Sequence, residues 1–130
     1  MIRMPRSPGF WLACFVLWLG TLYLFSSFPR VNELSPSFNH SDKVAHFGYF
    51  FGGSGLLCAY LFRRKPAAAV QWKSLIASAL LCIAVIGVLD EFHQSFTPGR
   101  SGNDPYDWLA DVLGGMVGAL VFKRIHRLLE

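Results

Sequence analysis

The sequence predicts an all-α membrane protein, a bundle of four transmembrane helices with both termini in the cytoplasm. Two observations carry that prediction. Four long apolar runs are separated by short links, and the charged residues sort to opposite ends of those runs. Composition agrees: of 130 residues, 53% are apolar and 15% are charged, too few charges to cover the surface of a soluble domain. The mean hydropathy is +0.39. A formal charge of +4 would raise nucleic-acid binding in a soluble chain. Here the positions of the charges give them a different meaning.

The first run covers about residues 10–28, long enough to cross a hydrocarbon core of ~30 Å at 1.5 Å per residue. Arg3 and Arg6 precede it, as in a signal peptide. Signal-peptide cores are shorter and end in an A-x-A-like site. No such site precedes Pro29, so a retained helix is expected. The second run covers about 44–62. The third begins at Trp72, and its helix is expected to reach residue 96. The fourth, about 107–122, contains Asp111 and has a shorter uninterrupted apolar stretch. It reads as a helix whose polar first turn sits in the headgroup zone while the rest packs on protein. The connections before Lys43 and after Phe96 carry prolines, which break helices. No soluble domain or repeat is left over, so residues 1–130 form one domain. Cys14, Cys58 and Cys82 each lie inside an apolar run and read as small packing residues.

With four crossings, the two termini and the link between runs two and three share one side. That side holds nine Lys and Arg, against three (Arg30, Lys43 and Arg100) on the other. The positive-inside rule places the basic side in the cytoplasm. The acidic residues sort the opposite way: Glu33, Asp42, Asp90, Glu91, Asp104, Asp107 and Asp111 fall at the external rim, and Glu130 alone is internal. The basic excess is therefore a topology signal with some attraction to anionic lipid. No nucleic-acid partner is expected.

Three helices bring polar side chains to the external rim. Asp42 and His46 are four apart and share a face, as do Asp90 and Gln94, and Asp107 and Asp111. Small residues continue those faces, Gly53 on the second helix, Gly87 on the third and Gly114 and Gly118 on the fourth, and the second and fourth helices carry glycines four apart at Gly48 and Gly52 and at Gly114 and Gly118. Such spacings allow close helix approach. They would also serve a second copy of the chain. The expected result is one polar cluster shared by Asp42, Lys43, His46, Asp90, Glu91, Gln94, Asp107 and Asp111. Arg100 would fold back over it from the Pro98-Gly99 turn. Its planar guanidinium suits a carboxylate or phosphate. The first helix is expected to supply little beyond anchorage.

These residues resemble the VanZ-like family of small bacterial membrane proteins. That family's Asp-Lys-x-x-His start is matched by Asp42, Lys43 and His46. Its Asp-Glu-x-x-Gln-x-Phe-x-Pro-Gly-Arg part is matched by Asp90, Glu91, Gln94, Phe96, Pro98, Gly99 and Arg100. The third part is matched by Asp107 and Gly114, with Asp111 where the family more often has Asn. The resemblance covers about residues 42–118. It implies a multi-pass protein of the bacterial cytoplasmic membrane, related to one that lowers sensitivity to the glycopeptide teicoplanin.

Three functional readings follow. The first is binding of a lipid headgroup, a lipid-linked envelope intermediate or an amphiphilic antibiotic at the external rim. The second is a membrane enzyme acting on a lipid-borne phosphate or ester, with His46, Asp90, Glu91 or Asp107 as candidate catalytic groups. The third is a structural or small-transport protein. No familiar hydrolase signature or P-loop is present. His46, His93, Asp90, Glu91, Asp107 and Asp111 are of metal-ligating type. They form no short metal-binding motif, so no metal is expected and no cofactor is required.

Overall fold

A computed structural model describes residues 5–29 and 41–129 of the chain. Arg3, Arg30, Glu33 and Glu130, which enter the charge sorting above, lie outside them. Four helices make up the described chain: α1 (Pro8–Ser27), α2 (Ser41–Arg63), α3 (Trp72–Gln94) and α4 (Pro105–Ile125). Short 3-10 turns follow α2 (Ala67–Ala69) and α4 (His126–Leu129). Among the described residues there is no strand.

The ends of the helices follow local chemistry. Pro8 and Pro105 occupy first-turn positions, where the missing N–H costs nothing. Phe28 is extended at φ −94°, ψ 140°, as a residue before proline must be, and α1 stops there. Asp104 caps α4 by accepting from the Tyr106 backbone N–H at 2.8 Å. This cap starts α4 two residues earlier than the apolar pattern suggests. At the other boundary, α3 ends at Gln94 rather than 96. The backbone tightens there into i→i−3 bonds, Phe96 N–H to the His93 carbonyl and Thr97 N–H to the Gln94 carbonyl.

α2 is the centre of the bundle. It packs most extensively on α4 and also touches α1 and α3. The α2–α4 contact is close because Gly114 and Gly118 lie against the backbone of Phe47 and Phe51; a Cβ at either glycine would collide with a carbonyl oxygen. The Gly114/Gly118 face, expected to be available to a second copy, is thus filled by α2 of the same chain. Gly48 and Gly52 face open space. On α1 the buried residues Trp11, Phe15 and Trp18 form a stripe at spacings of four and three. Trp18 stacks on Tyr49 and donates from Nε1 to the Tyr49 carbonyl at 3.1 Å. The core continues through Phe50, Leu57, Ala79 and Ile83. Away from the polar rim it closes on Phe62, Trp72, Phe122 and His126.

Outside that core the surface is apolar. Leu17, Leu81, Val88, Leu89, Leu113 and Leu120 are all exposed, Leu17 to 70%. A water-soluble monomer rarely leaves so many large apolar side chains exposed. α1, α2 and α3 are each long and apolar enough to cross a membrane. α4, interrupted by Asp107 and Asp111, is not among them.

Candidate functional site

The start of α2, the end of α3 and the start of α4 meet at one end of the bundle. Their polar side chains divide into two groups.

The first group lies between α2, α3 and α4. Lys43 Nζ donates to Asp107 Oδ1 at 2.9 Å, Asp42 Oδ2 at 3.1 Å and Asp104 Oδ2 at 3.3 Å. One helical turn further in, His46 Nδ1 donates to Asp111 Oδ1 at 2.8 Å. The other ring nitrogen, Nε2, lies 3.7 Å from Asp107 Oδ2. Asp107 therefore faces Lys43 with one oxygen and His46 with the other. Asp111 is fully buried. It fits because Gly87 on α3 leaves room: a Cβ there would sit 2.9 Å from Asp111 Oδ2. Glu91, 4% exposed, accepts the Asp104 backbone N–H on Oε2 at 2.8 Å. Its Oε1 and Asp111 Oδ2 are buried with no hydrogen-bond partner.

The loop after α3 is folded to make these contacts. Gly102 (φ 46°) passes so close to the Ser95 backbone that any side chain would collide with it. Asn103 N–H then reaches the Glu91 carbonyl at 3.2 Å, which delivers Asp104 to both Glu91 and Lys43. The Tyr106 N–H, and to a smaller extent Lys43, hold the Asp104 carboxyl below its usual range.

The second group lies between α3 and α1. Asp90 accepts from Ser26 Oγ on one oxygen and from Gln94 Nε2, at 2.8 Å, on the other. Thr97 Oγ1 donates to the Ser26 carbonyl at 2.8 Å. Arg100 donates from Nη2 to the Phe25 carbonyl at 2.7 Å and from Nε to the Phe28 carbonyl at 3.0 Å. These carbonyls belong to the last turn of α1 and the residue after it, which lack intrahelical donors. Helix α1 is thus more than an anchor, because its end is clasped by polar side chains from α3 and the following loop. Burial hides the signal in the sequence: Ser26 and Thr97 look like ordinary helix-end hydroxyls.

Of the residues expected at one rim, Asp42, Lys43, His46, Glu91, Asp107 and Asp111 come together, while Asp90, Gln94 and Arg100 face α1. Asp104 joins the first group. Its signal was the Asp-Pro pair ahead of the fourth apolar run, an N-cap followed by a first-turn proline. His93 stands apart, with Nε2 3.0 Å from Ser27 Oγ and its ring against Tyr23. A cavity of about 220 Å³ lies at the opposite, basic end, lined by residues that include Arg64, Lys65, Gln71 and Ser74.

Such an arrangement is able to hold a cation, position a histidine for proton transfer, or present a lysine to an anionic group. His46, Glu91 and Asp107 each offer a ligand atom within 4.8 Å of the others. No curated protein and no solved structure matches the chain significantly. A family model described as VanZ/LLP1 matches residues 10–127, nearly the whole length. The chain belongs to the VanZ/LLP1 family of proteins.

Proposed function

We propose that this VanZ-type membrane protein binds the polar headgroup of a lipid, a lipid-linked envelope intermediate or an amphiphile such as a glycopeptide at its external rim. The observation that carries the reading is the convergence of Lys43, His46, Glu91, Asp107 and Asp111, from three helices, at one end of an apolar bundle. Ionisable groups in membrane helices are costly, and they are kept where they serve a pathway or a ligand. Lys43 is the most accessible member and the natural first contact for an anionic headgroup. In this reading α4 is the fourth crossing. Its 21 residues span roughly 30 Å, and Leu109, Leu113, Met116 and Leu120 line its exposed side. Four crossings with basic internal ends would suit a protein of the bacterial cytoplasmic membrane whose polar site faces outside.

Native mass spectrometry of the protein released from lipid nanodiscs tests the reading. Selective retention of an anionic lipid, lost in Lys43→Met, is expected. Equal retention by both proteins, together with teicoplanin susceptibility that does not change on deletion, would overturn it.

One observation favours a second, enzymatic reading. Asp111 fixes the His46 ring and turns Nε2 toward Asp107, the arrangement of a general base held by its orienting carboxylate. Turnover of labelled envelope lipids by purified protein, abolished in His46→Ala, would support it. Turnover unaffected by that change would remove His46 from the chemistry.

A further inference from the structure

The first polar group carries more negative than positive charge. Five carboxylates (Asp42, Glu91, Asp104, Asp107 and Asp111) face one lysine and one histidine. Lys43 accounts for Asp42, Asp104 and one oxygen of Asp107. Deeper in, where Glu91 is 4% exposed and the His46 side chain 10%, Lys43 makes no hydrogen bond. Buried charge without a partner is expensive. Glu91 Oε1 is such an atom, buried and unpartnered on a carboxylate beside His46 and Asp107.

We propose that His46 Nε2, Glu91 and Asp107 Oδ2 form a three-ligand site for a divalent transition-metal cation of the Zn²⁺ or Mn²⁺ class. Three features of the geometry support this. His46, Glu91 and Asp107 each offer a ligand atom within 4.8 Å of those of the other two. A tetrahedral ion about 2.1 Å from each needs ligand separations of roughly 3.4 Å, and His46 Nε2 to Asp107 Oδ2 is 3.7 Å. The two oxygens of Asp107 are already divided, so metal binding on Oδ2 leaves the Lys43 bond on Oδ1 intact. Finally, His46 has the outer-shell partner that ligating histidines require: its Nδ1–H goes to the fully buried Asp111, which fixes the tautomer and aims Nε2. One nitrogen and two carboxylate oxygens suit a borderline metal. Three protein ligands leave a position open, on which a phosphate or carboxylate oxygen of a headgroup would sit. The inference deepens the headgroup reading and rests on it only for the occupant of that open position.

The test uses the full-length chain in nanodiscs, stripped with a chelator and titrated calorimetrically with Zn²⁺ and separately with Mn²⁺. One ion per chain is expected. Affinity should fall at least 100-fold in Glu91→Gln and in Asp107→Asn, and 10- to 100-fold in Asp111→Asn. Helical circular dichroism and a monodisperse elution profile show that each variant is folded. Where a variant fails that control, Co²⁺ added to the unaltered protein gives the answer: visible d–d bands of a four- or five-coordinate ion support the site, and a six-coordinate aqueous spectrum overturns it. Absence of stoichiometric binding, or equal binding by the Glu91→Gln/Asp107→Asn double variant, also overturns it. Headgroup retention measured with and without chelator separates the two readings. Retention without metal binding leaves the headgroup reading standing and removes the cation, and metal binding without retention does the reverse.

Discussion

Asp90 and Glu91 are adjacent in the chain and serve different interfaces. Asp90 bonds to Ser26 of α1 and to Gln94 of its own helix. Glu91 bonds to the Asp104 backbone and faces His46 and Asp107. Successive residues on a helix point about 100° apart at 3.6 residues per turn. An acidic pair at the end of α3 can therefore clasp one neighbour and complete a polar site with the other.

The Ser26–Asp90 bond is predicted to couple α1 to the rest of the bundle. Interhelical hydrogen bonds in membrane proteins average about 0.6 kcal/mol and reach about 1.7. A double-mutant cycle with Ser26→Ala and Asp90→Asn, read by reversible unfolding in mixed micelles, should give a coupling in that range. Its buried setting places it toward the upper end. Strictly additive losses would show that this bond does not couple α1 to α3.

Glycines of similar appearance in the sequence should respond in opposite ways. Gly114→Ala drives a methyl into the Phe47 carbonyl, so α2 and α4 must separate. A cost of about 1–3 kcal/mol is expected, as for other overpacked contacts. Gly48→Ala meets nothing within 4 Å. It should be neutral, or stabilising by up to about 1 kcal/mol through helix propensity. Unfolding midpoints of the two variants, measured side by side, check the contrast.

How much of this was legible beforehand follows from periodicity. Spacings of four placed Asp42 with His46 and Asp107 with Asp111, because such pairs share a helix face whatever the helix packs against. Run lengths gave α1, α2 and α3, and the sorting of charges to one end of the runs located the polar residues. Which neighbour each face meets is a property of tertiary packing. For that reason periodicity and charge alone group Asp90, Gln94 and Arg100 with residues from which they are turned away. Arg100 shows it best. Its guanidinium suits a phosphate, and the Pro98-Gly99 turn does redirect the chain. Yet the path onward, set by the backbone contact at Gly102 and the bond from Asp104 to Glu91, leaves Arg100 on the carbonyls ending α1.

Asp104 has two roles that substitution should separate. As N-cap of α4 it accepts from Tyr106 on Oδ1, while Oδ2 takes Lys43. Asp104→Asn keeps the cap and loses most of the ionic contact, so the loss of stability should be below about 0.5 kcal/mol, typical of a partly exposed pair. Asp104→Ala loses both and should cost about 1 kcal/mol or more. Equal losses in the two variants would assign the whole effect to Lys43.

Lys43 should be needed mainly because of what surrounds it. Lys43→Met leaves Asp42, Asp104 and Asp107 together without their common cation. Removing one member of such a group costs more than the group's net worth, because the remaining charge stays poorly solvated. Destabilisation of about 1–3 kcal/mol is expected, with partial recovery in the Lys43→Met/Asp107→Asn double variant. Failure of the second change to recover any stability would indicate that Lys43 acts through its packing instead.

The proposed orientation makes a prediction independent of stability. Ser101 is exposed in the loop between α3 and α4, at the polar end. Lys123 is exposed near the end of α4, at the opposite end. In a background lacking Cys14, Cys58 and Cys82, Ser101→Cys in intact cells should react with a membrane-impermeant thiol reagent. Lys123→Cys should react only after the cells are opened. The positive-inside rule places Arg63, Arg64, Lys65 and Lys73 on the same side as Lys123. Ser74→Cys should therefore behave like Lys123→Cys. Labelling of Lys123→Cys together with Ser101→Cys in intact cells would show that α4 does not cross, and would leave the protein with three spans and its termini on opposite sides. Labelling of Ser74→Cys and Lys123→Cys without Ser101→Cys would keep four spans and invert them. The polar site would then face the cytoplasm, and an external headgroup or antibiotic would no longer be its ligand.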